Sequence, residues 1–225
     1  MIRDNLLLRY LEEKSFVDMF MSGHIRLNSL GFFWGEHDEP TKDGQIDTME
    51  GIACPIGAKS IEECSRFDGY RYYNLLCCNR LEYIQTESAI GWYSNEQMYS
   101  FGNYVVIIKD PDEFQRRLVN AASEQNYKCL CHSVEYSDKI DTTRDVFDKT
   151  KEYAYQNEWR AAVVRGVQVA EPCELFVGAL NDIAEWCFTK ELQRKLERLF
   201  YERDFKNSHN AVYGNVTRDE LRKDM

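Results

Sequence analysis

The hexapeptide Tyr155-Gln156-Asn157-Glu158-Trp159-Arg160 runs directly into the apolar tetrad Ala161-Ala162-Val163-Val164. A short apolar run ending in β-branched residues predicts a β-strand, with the hexapeptide as its entry. Side chains on a strand alternate between faces. Gln156, Glu158 and Arg160 are therefore predicted to share one face, with Asn157 and Trp159 on the other. Trp159, Ala161 and Val163 read as core. The opposite face then presents an amide, a carboxylate and a guanidinium in a row, held more rigidly than a loop would hold them. Two readings of that row stand: a binding or catalytic face, or a Glu–Arg pair that closes the sheet edge.

Outward from this strand the chain alternates helices and strands. Residues 6–11 read as a first strand. Residues 13–22 read as a helix with Phe16, Val17, Phe20 and Met21 as its apolar stripe and Gly23 as its stop. A second strand is expected at 24–28. A loop follows over 31–44, rich in Gly, Asp, Glu and Pro, with an aromatic patch at Phe32, Phe33 and Trp34. Further strands are expected near 49–56, 72–78, 104–108, 129–136, 159–164 and 175–178. Asp110-Pro111 is a helix start, a capping carboxylate followed by proline in the first turn. A helix is also expected over 142–154. A last one starts at Thr189 and runs to about residue 204, burying Leu192, Leu196, Leu199 and Phe200. The elements show no regular βαβ rhythm. The expected class is α+β: one domain over 1–204, a mixed or mostly antiparallel sheet with helices packed on it, and a polar tail over 205–225.

Hydrophobic residues make up 44% of the 225 residues, enough for a sizeable core, and no apolar run approaches the ~20 residues that span a bilayer. No membrane association is expected. The start of the chain lacks a basic leader followed by a long apolar stretch, which points to a cytoplasmic protein. The net charge of −10 argues against general nucleic-acid binding and fits a protein partner or macromolecular acceptor. The eight cysteines form no C-x-x-C pair and read as reduced thiols. His132 beside Cys129 and Cys131 is a grouping that could hold a metal ion.

Several segments could carry chemistry. Arg9-Tyr10 ends the first strand, where a guanidinium can hold a phosphate or carboxylate bidentately or pair with Glu12 or Glu13. The segment from Met98 to Tyr104 sets Tyr99, Ser100 and Tyr104 around Gly102 at a strand mouth, where the tyrosines could flank a flat ring. Asp47 and Glu50 could act as acid and base, or join Glu158 around Mg²⁺ in a nuclease. No phosphate loop, dinucleotide fingerprint, nucleophile elbow or zinc-protease motif occurs.

The order of segments resembles a bacterial and prophage family known as domain of unknown function 2971. The resemblance rests on Arg9-Tyr10, on the strand from Gly23 to Ser29, on Leu76-Cys77-Cys78-Asn79, on the segment from Met98 to Tyr104, and most specifically on Tyr155–Arg160. It covers residues 6–180. The Asn-Asp-Pro usual after the second strand is here the looser Glu36–Pro40, and the usual Trp and His around the Met segment are Tyr99, Ser100 and Asn103. A second similarity concerns mechanism. Gln156-x-Glu158 resembles the Gln/Glu-x-Glu motif of ADP-ribosyltransferases, which also use a basic residue ending an early strand to hold NAD. That resemblance implies a split sheet and NAD as substrate. It gives catalytic roles to Glu158 and Gln156, and NAD-binding roles to Arg9, Tyr10, Tyr99, Ser100, Tyr104 and Arg160. The prophage setting implies a toxin or phage-defence effector. The alternatives are a non-catalytic acidic interaction module of a phage–host conflict system and the metal-dependent nuclease above.

Overall fold

Eight segments pair into one sheet in the computed structural model, which describes residues 2–34, 50–53, 60, 63–138 and 144–212, with side chains as far as 203. They are β1 (Asn5–Leu11), β2 (His24–Ser29), β3 (Asn74–Glu82), β4 (Tyr104–Ile108), β5 (Lys128–Ser133), β6 (Glu158–Val164), β7 (Cys173–Phe176) and β8 (Ala184–Phe188). All of their pairings are antiparallel. The molecule is α+β with a mostly antiparallel sheet, as its sequence predicts.

β3 is the hub. Along one edge it pairs with β6, from Asn74 opposite Val163 to Asn79 opposite Glu158, and β5 continues the sheet beyond β6. Its other edge is shared by two strands. β1 takes residues 79–82, and β2 takes Asn74 and Leu75. Between them Leu76, Cys77 and Cys78 have no strand partner on that edge among the described residues. There β1 swings away to pair with β4, and β2 pairs with β7. The sheet is split at this point into a β1-β4-β8 wing and a β2-β7 wing.

Four helices cover the sheet: α1 (Lys14–Met21), α2 (Leu30–Phe33), α3 (Pro111–Glu124) and α4 (Leu192–Val212). α1 and α3 cover one face, where Val17, Phe20, Phe114 and Leu118 pack on Leu7, Leu76, Trp159, Ala161 and Val163. Burying each such side chain contributes roughly 1.5–3 kcal/mol. The other face carries two separate apolar clusters. Under α4, Leu192, Leu196 and Leu199 meet Leu6, Leu8 and Ile107. Under α2, Leu30 and Trp34 meet Leu75, Val146 and Ala162. The ground between these clusters is polar, and the split opens onto it.

The predicted helix signals hold at α3. The Asp110 carboxylate accepts from the Glu113 N–H at 3.3 Å, and Pro111 opens the first turn. Gly23 ends α1 at φ +95°, and a Cβ there would stand 2.2 Å from the Gly178 carbonyl oxygen, so only glycine fits.

Other expectations change. Phe16 is not in the α1 stripe but is 47% exposed. In place of a helix over 142–154, Asp148–Lys149 pairs in parallel with Glu135–Tyr136, and Lys151–Gln156 forms a 3₁₀ helix; residues 139–143 lie outside the described set. The Thr189 hydroxyl does not cap α4 but donates to the Gly102 carbonyl at 2.6 Å. Of the 49–56 segment, Ile52–Ala53 pairs with Ser65–Arg66, and 54–59 lie outside the described set. β8 was not expected at all. α4 continues to Val212, past the predicted end at 204. Cys64 is in a disulfide, whereas Cys77, Cys78, Cys129, Cys131, Cys173 and Cys187 are free thiols.

Candidate functional site

Asn157 decides how the decisive hexapeptide folds. It takes the left-handed conformation, φ 36° and ψ 60°, which asparagine tolerates better than most residues. Its side-chain amide donates to the Arg80 carbonyl at 2.7 Å, and the Arg80 N–H donates back to its carbonyl at 2.8 Å. β6 therefore begins at Glu158, and Gln156 ends the 3₁₀ helix instead of sharing the strand face. The sharp turn still brings Gln156, Glu158 and Arg160 together. The Trp159 face is core, as predicted.

Four buried charges meet there. Arg160 donates to Glu50 Oε1 at 2.6 Å and to Glu158 Oε2 at 2.9 Å. It also donates to the Val146 carbonyl at 2.6 Å. Lys149 Nζ stands 3.1 Å from Glu158 Oε2 and 3.4 Å from Glu50 Oε1, and donates to Gln156 Oε1 at 2.8 Å. Two carboxylates thus offset two cations. Burial works against the charged form of Glu158, but Arg160 and Lys149 outweigh it and hold the carboxyl down at about 2. Burial likewise opposes the Lys149 ammonium, and Glu158 and Glu50 overcome it, raising the pKa. Burial, with Glu158 adding to it, pushes the Cys77 thiol up and the Tyr136 phenol up to about 12.

Glu158 is the most exposed of the four, 7% against 1% for Glu50. It lines a small cleft at the split of the sheet, with about 100 Å³ of space open to solvent. Leu8, Arg9 and Tyr10 form one wall. Cys77, Cys78 and Asn79 form the floor. Lys149, Gln156, Glu158 and Arg160 form the other side, with Phe33, Met98 and Phe101 at the rim. Arg9 reaches into the split, and its NH1 donates to the Cys77 carbonyl at 2.8 Å, on the strand edge left open by the split. It pairs with neither Glu12 nor Glu13 and makes no ion pair among the described residues. It also lines a recess on the α1 face beside Phe20 and Leu76. Three lining residues carry buried polar atoms without a partner among the described residues: the Tyr10 hydroxyl, Asn79 Oδ1 and Arg160 Nε. Buried polar atoms are normally satisfied, so these fit a bound polar ligand or water.

The cleft therefore unites Arg9, Tyr10, Gln156, Glu158 and Arg160. It leaves out three residues the sequence placed with them. The Tyr99 and Ser94 hydroxyls bond each other at 2.7 Å. The Ser100 hydroxyl is on the surface and donates to the Gln97 carbonyl. Tyr104 packs among Trp186 and Phe188. Gly102 serves close packing, since a Cβ there would lie 2.5 Å from Leu11 backbone atoms. Gln156 is engaged at both ends, Oε1 by Lys149 and Nε2 by the Tyr155 hydroxyl, which fits a positioning role.

Sequence reasoning missed Lys149, a lone lysine with no motif around it. Glu50 was legible as an acid but not as the partner of Arg160. For the nuclease reading, Asp47 lies outside the described residues, and Glu50 and Glu158 are already neutralised by cations. Among the described residues no group of three or more His, Cys, Asp or Glu is placed to hold a metal ion, and His132 points away from Cys129 and Cys131, against Phe147. No helix among them is long and apolar enough to cross a membrane.

No protein-family model, curated protein or solved structure matches this chain.

Proposed function

We propose that the cleft binds NAD and that the protein transfers ADP-ribose from it to a macromolecular acceptor. The observation that carries this reading is Arg9. It is a guanidinium at the split of a sheet, without a carboxylate partner among the described residues, across a small cleft from an ionised carboxylate. A planar fork of donors suits a pyrophosphate, and its free N–H groups match that ligand's oxygens. Phe33, Phe101 and Tyr10 give the cleft flat surfaces for a nicotinamide ring.

The chemistry follows from the charges. The bond between nicotinamide nitrogen and ribose C1′ breaks, and its electron pair leaves with nicotinamide, which departs neutral. Positive charge builds on the ribose. Arg160 and Lys149 hold Glu158 through Oε2, and the Cys77 thiol also bonds its carboxylate; that carboxylate faces the charge and accepts from a ribose hydroxyl. The acceptor's nucleophile then bonds C1′ and releases its proton to solvent. Arg160, Lys149 and Gln156 position Glu158 and keep it ionised. The resemblance of Gln156-x-Glu158 to the transferase motif points the same way.

Calorimetry with NAD tests the reading. Wild type is expected to bind. Arg9→Ala is expected to lose charge-assisted hydrogen bonds worth roughly 1.5–3 kcal/mol, or about ten- to a hundredfold in affinity. Glu158→Gln is expected to bind NAD but release nicotinamide about 10²- to 10³-fold more slowly, with a thermal melt to confirm that it folds. Wild type that fails to bind millimolar NAD would overturn the proposal and favour the acidic interaction module.

A further inference from the structure

Cys129 and Cys131 lie two residues apart on β5, so their thiols leave the strand on the same side. Their sulfurs are 3.8 Å apart. Among the described residues β5 pairs with β6 alone, at the edge of the sheet. Both thiols are half-buried, whereas Cys78 and Cys173 on the same sheet face are buried. Solution ions and reagents can reach the pair.

Two chemistries compete for such a dithiol, and geometry separates them. Alternate Cα atoms of an extended strand stand about 6.6 Å apart. That is the upper end of what a disulfide spans, and the bond also needs Cβ atoms only about 3.8 Å apart. Closing it would bend β5 away from its ladder with β6. A metal ion requires no such movement. Two thiolates bound at about 2.3 Å to a tetrahedral ion stand about 3.8 Å from each other. That is the separation already present.

We propose that Cys129 and Cys131 chelate one soft divalent ion of the zinc–cadmium class. As each sulfur–metal bond forms, the thiol releases its proton to solvent, and no electron is transferred. No third protein ligand completes the set among the described residues, so the remaining coordination positions belong to water or to a second molecule.

Cadmium is the probe, because its bonds to thiolates give an ultraviolet charge-transfer band. The intact protein, handled without oxygen, is expected to develop that band and to saturate it at one equivalent. Cys129→Ser and Cys131→Ser should each lose this first equivalent, and Cys173→Ser should keep it. In wild type, bound cadmium should also shield both thiols of the tryptic peptide 129–139 from alkylation, a readout that needs no variant. A band that survives in both serine variants overturns the proposal, as does its absence in wild type. So does a 129–139 peptide two mass units light, which would mean that the pair closes as a disulfide.

Discussion

Arg160 and Arg9 line the same cleft, and the fold treats them differently. Arg160 is fully buried, its NH1 and NH2 taken up by Glu50, Glu158 and the Val146 carbonyl. Arg9 is half-buried and has one hydrogen bond, to a backbone carbonyl that the split left without a strand partner. The first arginine belongs to a network whose charges cancel. The second is, among the described residues, a cation without a carboxylate partner. A buried pair holds shape, and an unpaired guanidinium beside it can hold a ligand. Two guanidiniums within one cleft thus divide the labour of a site between structure and recognition.

The contrast predicts unequal costs. Arg160→Leu leaves two buried carboxylates facing Lys149 alone, and should destabilise the fold by about 3–5 kcal/mol in urea unfolding. Adding Glu158→Leu should recover part of that loss, because the second change removes a stranded charge. A cost below about 1 kcal/mol for the single variant would show that the four charges do not act as a unit.

Acid should expose the same network. The Glu158 carboxyl is held at about 2, below its ordinary 4.5, so its contribution is fully present above pH 4.5 and is lost as pH falls toward 2. The shift corresponds to roughly 3 kcal/mol as an upper bound for a strongly coupled site. Glu113 is also held near 2, by hydrogen bonds from Arg116 and Arg117, but it sits on the surface. Salt screens exposed pairs and hardly touches buried ones. Stability lost between pH 4.5 and 2 should therefore persist in 0.5–1 M salt, values chosen to bring the screening length to about 3–4 Å. A loss that disappears in salt would assign the acid sensitivity to Glu113 and its neighbours.

The parts of this fold that local rules govern were legible in the sequence. The core side of β6 followed from the alternation of Trp159, Ala161 and Val163. The start of α3 followed from Asp110 and Pro111, and Asp110→Ala should cost about 1 kcal/mol in a thermal or urea melt through loss of that cap. Non-local facts were not legible. Nothing near Lys149 marks it as the partner of Glu158, since the pairing is set by the 3₁₀ helix and a two-residue strand rather than by the expected helix. Asn157 looked like one more strand residue, yet its left-handed turn moved Gln156 off the strand. The Met98–Tyr104 segment was expected to gather Tyr99, Ser100 and Tyr104 at a strand mouth, but its first part ends a 3₁₀ helix that turns Met98 and Phe101 to the cleft and sends Ser100 to the surface. Arg9 was expected at the end of the first strand, which runs on to Leu11, and its lack of a carboxylate partner among the described residues depends on how far β1 swings from β3.

Arg9→Ala is the smallest expected effect on stability and the sharpest test of the comparison. Among the described residues it removes one hydrogen bond, to Cys77, and no ion pair, so unfolding should change by about 1 kcal/mol or less. The Cys77 carbonyl can take a water from the cleft in exchange. A loss as large as that for Arg160→Leu would mean that Arg9 bridges the two wings of the sheet and is structural after all. A near-silent melt together with lost NAD binding would separate the two arginines by function. A near-silent melt with NAD binding intact would leave the unpaired cation without the ligand assigned to it, and would move the search to the recess that Arg9 also lines on the α1 face.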